Sequence, residues 1–280
     1  MMYKGSIPTL EYLQTLTTKM FLSLSKRRRF IVTCIFLSLG FFSIQLLEES
    51  YRFMAIGGLS LLTLALFIWS LYEGLGLNLT ILSLVLPFLF TIGVGLFWFL
   101  LPASIFTRIP VVIFYGFGIY ALCLTTNVYT VSTIRTIALL RAARGVGFVL
   151  TMVTAFLLYD AIVSLRVSLP LTSILVFSIS LPLFLQGYWS IPLTIKFSKS
   201  LVRMTFISSL VVAEIATILY FWPVTLVVES LFLTLSIYVI LGLGQARLEA
   251  RLFRSIVREY LFVGTLVFIG MFLATNWGGY

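Results

Sequence analysis

Leucine-rich apolar runs, each about the length of a bilayer crossing, recur from Phe30 to Trp277, and the short gaps between them carry nearly all the charge. A run of that length forms a helix that crosses the roughly 30 Å hydrocarbon layer at about 1.5 Å per residue. In lipid, a helix is one of the few structures that satisfies all of its own backbone polar groups. The pattern therefore predicts an all-α integral membrane protein. Composition agrees, with 61% hydrophobic and only 10% charged residues among 280, far outside the range of a soluble domain.

Composition also removes whole classes of chemistry. The chain has no histidine, which excludes a Ser-His-Asp triad, a His-ligated zinc and a His-ligated haem. Its two cysteines, Cys34 and Cys123, lie inside apolar runs and read as small packing residues rather than a disulfide framework. The net charge of +10 is spread over juxtamembrane clusters with no basic surface on which to hold a duplex. Anionic lipid headgroups at the inner face are the expected partners, besides the bilayer itself, and nucleic acid is not. No cofactor and no metal is expected.

Nine spans are predicted: Phe30 to Leu47, Phe53 to Tyr72, Leu77 to Leu101, Val111 to Tyr129, Val146 to Leu165, Val167 to Tyr188, Met204 to Trp222, Val224 to Gly242 and Tyr260 to Trp277. The division at Trp222-Pro223-Val224 rests on length. One helix from Met204 to Gly242 would reach about 60 Å, twice the hydrocarbon thickness, and Pro223 lacks the donor a continuing helix needs.

Basic residues set the orientation. With the N-terminus inside, the outer gaps hold only Arg52, Arg108 and Arg166 of the 19 lysines and arginines. The expected architecture is a single polytopic bundle, N-in and C-out, in the cytoplasmic membrane. Residues 1–29 form a cytoplasmic amphipathic segment and residues 30–280 the transmembrane helical domain. Trp69, Tyr72, Tyr188 and Trp189 are expected as interfacial anchors at inner ends, with Trp98, Tyr220, Trp222 and Trp277 at outer ends.

Two inner-surface helices are expected. One starts near Pro8 and segregates Leu10, Leu13, Leu16, Met20, Phe21 and Leu24 onto one arc. The other, Gln245 to Glu259, aligns Arg247, Arg251, Arg254 and Arg258 as a cationic stripe that would touch lipid headgroups. Glu249 points away from that stripe and lacks a local basic partner. It is expected to dock to a neighbouring inner loop, with Arg135, Arg141, Arg144, Lys196 and Lys199 as candidates.

The acidic residues inside the spans are the candidate chemistry, because lipid penalises their charge. Glu214 falls roughly 13 Å and Glu229 roughly 9 Å below the Pro223 turn, so the two carboxyls could approach as a proton- or cation-binding pair. Thr217, Thr225 and Ser236 are their supporting polar groups. Asp160 is expected to pair with Arg166 as a solvated rim charge. The glycine pairs Gly93/Gly95, Gly116/Gly118, Gly145/Gly147 and Gly242/Gly244 resemble no dinucleotide loop and point to close helix packing or local loosening.

The leading functional reading is transport or permeation of a small solute through the Glu214 and Glu229 pair. Beside it stands a non-catalytic membrane subunit, scaffold or assembly factor, and third a membrane-embedded lipid-modifying enzyme. The sequence favours a non-catalytic role, and a cavity that reaches Glu214 would separate the first two.

Overall fold

The computed structural model describes residues 25–72, 77–102, 104–132, 138–194 and 198–275. Among them the chain forms nine helices and no strand: α1 Lys26–Ile44, α2 Glu49–Leu71, α3 Leu77–Trp98, α4 Ile105–Ser132, α5 Leu140–Ser164, α6 Leu169–Trp189, α7 Lys199–Leu219, α8 Leu226–Leu248 and α9 Arg254–Leu273. Seven of these, α2 and α4 to α9, are long and apolar enough to cross a membrane. The protein is a helical membrane protein. α1 opens on the charged run Lys26 to Arg29, and the described apolar stretch of α3, Leu82–Trp98, is shorter than the others. The expected amphipathic segment from Pro8 to Leu24 lies outside the described residues.

Helix ends follow local chemistry. Ser198 caps α7 by accepting from the Leu201 amide at 3.1 Å, and Pro170 occupies the first turn of α6, where its missing donor is not needed. The expected break at Pro223 is present. The Trp222 amide donates to the Leu219 carbonyl at 2.8 Å, and the Val224 amide donates to the Trp222 carbonyl at 2.8 Å around Pro223. A three-residue turn of that kind reverses the chain between α7 and α8.

α5 is the hub, packed against α3, α4, α6 and α8. α1, α2 and α4 gather on its α3 side, α7 packs on α6 and α8, and α9 packs on α8 alone among the larger contacts. Buried hydroxyls link these helices. Thr91 bonds both Thr63 and Tyr115 at 3.1 Å, joining α2, α3 and α4. Tyr159 bonds Ser180 at 2.6 Å between α5 and α6, and Tyr188 bonds Ser208 at 2.8 Å between α6 and α7. Such bonds hold helices together where water cannot, since lipid supplies no hydrophobic drive between them.

Glycines permit the closest approaches. A methyl group on Gly118 would collide with the Phe90 ring, and one on Gly242 with the Tyr260 ring. Gly145 makes no such close approach, with open space where its side chain would stand. Three expected anchors also prove to be core residues: Trp98, Tyr188 and Trp189 are buried. Each has neighbours at its depth, and Trp189 sits edge-on to Tyr129 at 6.4 Å.

Candidate functional site

The starts of α5 and α9 lie at the same end of the bundle as the ends of α6 and α8. A cavity of about 400 Å³ opens at this basic end, lined by residues of α5, α8 and α9 and by Ile191 after α6. Its walls hold Arg141, Arg144, Arg251, Glu249, Glu259 and Gln245.

The network beneath it is built on Arg144. Its Nε donates to the Ser190 carbonyl at 3.2 Å and its Nη2 to the Ile191 carbonyl at 2.6 Å, satisfying acceptors that α6 leaves open at its C-terminus. Its Nη1 donates to Glu249 Oε1 at 3.1 Å. Arg251 closes on the other oxygen, Glu249 Oε2, through Nε at 3.0 Å and through Nη2. Gln245 adds a bond from Nε2 to the Gly187 carbonyl at 2.9 Å. One guanidinium thus ties the start of α5 to the ends of α6 and α8, using the planar fork that lysine lacks.

The expected docking of Glu249 to a neighbouring segment is therefore present, with Arg144 as the partner. Its lack of a local base is not. α8 stops at Leu248, Ala250 takes a left-handed φ of 55°, and the Arg251 amide turns back to the Ala246 carbonyl at 2.9 Å while that of Ala250 reaches the Arg247 carbonyl at 3.1 Å. This is a Schellman closure with alanine where glycine is usual. It costs about 1 kcal/mol and brings Arg251 onto Glu249.

The same turn corrects the surface helix expected from Gln245 to Glu259, which does not form. Arg247 ends α8, Arg251 lies in the link, and Arg254 and Arg258 stand on the first turns of α9, all four exposed. The stripe is broken at the Ala250 turn, which carries Arg251 onto Glu249 instead.

The carboxyls in the spans fall elsewhere. Glu214 is exposed on the outward face of α7, five residues and about 7.5 Å before that helix ends. Glu229 is half-buried in the first turn of α8. Both sit nearer the helix ends than a count from Pro223 suggests, because Tyr220 to Thr225 is a turn. Among the described residues no hydrogen bond joins the two. Thr217 bonds Ser173 at 2.8 Å across to α6, Ser236 is buried and bonds the Phe232 carbonyl at 2.9 Å, and Thr225 precedes α8 with its side chain exposed.

Asp160 corrects another expectation. It is buried and accepts from Ser230 at 2.9 Å between α5 and α8, whereas Arg166 is exposed. Its position four residues before the end of α5 gives room for burial that a rim count misses. Among the described residues no group of three His, Cys, Asp or Glu gathers to hold a metal.

A family model described as "Protein of unknown function (DUF5656)" matches residues 73–274. The chain belongs to the DUF5656 family. No curated protein and no solved structure matches it. The DUF5656 segment takes in α3 to α9, and with them the Arg144 network, Asp160, Glu214 and Glu229, while α1 and α2 precede it.

Proposed function

We propose that this DUF5656 chain is a non-catalytic subunit of a membrane assembly, and that Glu214 marks where a neighbouring membrane protein packs. The observation that carries the reading is the outward exposure of Glu214 within an apolar stripe of α7. Leu210 is 43% exposed one turn before it and Ile218 60% exposed one turn after it. A carboxyl held against lipid is costly, and intramembrane acids nearly always face protein or water. A partner helix that offers a hydrogen-bonding group at that depth removes the cost, and such a bond contributes about 0.6 to 2 kcal/mol.

What supports this reading over transport is the same placement. A proton-coupled path needs an aqueous route to its carboxyl, yet Glu214 lines neither the polar cavity at the basic end nor the apolar grooves beside α4, α5 and α9. The test is assembly in native membranes. A photo-reactive group at Ile218 should give one adduct of defined mass. Glu214→Leu should weaken it about threefold to thirtyfold, and Glu214→Gln should retain most of it. Adducts with lipid alone, unchanged by Glu214→Leu, would defeat the reading.

Nine crossings, N-in and C-out, in the cytoplasmic membrane complete the proposal. They rest on the few basic residues, Arg52, Arg108 and Arg166, left for the outer gaps. Reporters fused at Met1 and Tyr280 should then respond from opposite sides, and a shared response would remove one crossing.

A further inference from the structure

Two wall charges of the basic-end cavity are left over once its internal network is counted. Arg144 commits one donor from each of its three nitrogens to Ser190, Ile191 and Glu249, and Glu249 spends both oxygens on Arg144 and Arg251. Arg141 on the first turn of α5 and Glu259 on the second turn of α9 also line the cavity, and among the described residues neither forms an ion pair. The first is a cation, the second an anion.

A purely anionic ligand would gain from Arg141 and the outer side of Arg251 but meet repulsion from Glu259. A ligand that carries both signs satisfies every wall. We propose that the cavity holds a phosphoethanolamine headgroup, its phosphodiester on Arg141 and Arg251 and its primary ammonium on Glu259. Guanidinium groups match phosphate oxygens in a planar fork, and a primary ammonium brings the N–H donors a carboxylate accepts. A quaternary choline has none. Phe148 and Ile256 supply an apolar side to the same cavity, against which the glycerol and the first acyl carbons can rest, and Gly145 lines it with open space where a side chain would stand. This inference does not depend on the subunit reading, because it concerns the opposite end of the bundle from Glu214.

The test uses the full chain purified in detergent, equilibrated with vesicles of equal parts phosphatidylethanolamine, phosphatidylglycerol and phosphatidylcholine, and weighed intact to count the lipids it retains. Phosphatidylethanolamine should exceed each of the others about tenfold, the worth of one charge-assisted bond. Glu259→Gln should erase that preference, lowering phosphatidylethanolamine retention while raising that of phosphatidylglycerol, which no longer meets a like charge, and Arg141→Gln should lower all three. Gly145→Phe puts a ring into that open space and leaves every side chain of the network in place. It should abolish retention while the thermal unfolding of the protein stays where it was, which separates loss of the site from loss of the fold. Equal retention of phosphatidylglycerol with a silent Glu259→Gln would overturn the proposal. Free phosphoethanolamine should displace the lipid only in part, and complete displacement would overturn the lipid form in favour of a soluble compound.

Discussion

α5 and α9 are both apolar helices of membrane-spanning length, yet 61% of the apolar window of α5 is buried inside the protein and only 6% of that of α9. Hydrophobicity does not separate them. What does is the kind of surface each presents. α5 offers small and hydroxyl-bearing residues to its neighbours, with Gly147, Thr151, Thr154, Ala155 and Ala161 buried along it and Asp160 bonded to Ser230. α9 turns Leu261, Phe262, Leu266, Ile269 and Leu273 outward and buries only Met271 within its helix. Lipid tails solvate long aliphatic side chains as well as a protein does, so close approach and hydrogen bonds decide which helices join the core.

If that contrast is sound, substitutions on α5 should be felt and those on α9 should not. The largest effect belongs to Arg144→Ala, which strips the two carbonyls that follow α6 of their donor and leaves Glu249 with Arg251 alone. A cost of about 2 to 4 kcal/mol follows, below the worst case for a buried pair because Arg144 keeps 26% of its side-chain exposure. Reversible unfolding in bicelles would measure it, and a loss under 0.5 kcal/mol would show that the network is ornamental. Ala155→Leu forces a larger side chain into a fully buried position of the hub and should cost about 1 to 3 kcal/mol by the same assay. The smallest effect is expected for Leu266→Ala on α9, a residue 57% exposed, which should change stability by no more than about 0.5 kcal/mol. A large loss there would mean that α9 is covered even in the isolated chain.

The same contrast explains what could be read from the sequence. Helix positions were legible because run length and Pro223 fix them, and the docking of Glu249 was legible because it points away from every base on its own expected helix. Which way each helix faces was not. No polar stripe marks a buried side on α9, the small and hydroxyl-bearing face of α5 does not say which helix meets it, and the inward turn of Asp160 and the outward turn of Glu214 depend on packing between helices distant in sequence. The stop of α8 at Leu248 was hidden for another reason. Its left-handed residue is Ala250 rather than the glycine that usually announces such a turn, and without that signal the arginine spacing reads as one continuous helix. The interior places of Trp98 and Trp189 were hidden likewise, since a tryptophan near a helix end serves equally as anchor or core.

The central claim, that protein covers the outward face of α7 around Glu214, is tested most directly by accessibility at the next turn. With Cys34 and Cys123 replaced by alanine, a spin label at Ile218→Cys keeps Glu214 intact and reports collisions with lipid-soluble oxygen and with a water-soluble metal chelate. The purified chain in bicelles should show strong oxygen contact and little chelate contact, and in native membranes the oxygen contact should fall, returning when Glu214→Leu is added. Equal oxygen contact in both settings, or chelate contact that shows water at this face, would contradict the account.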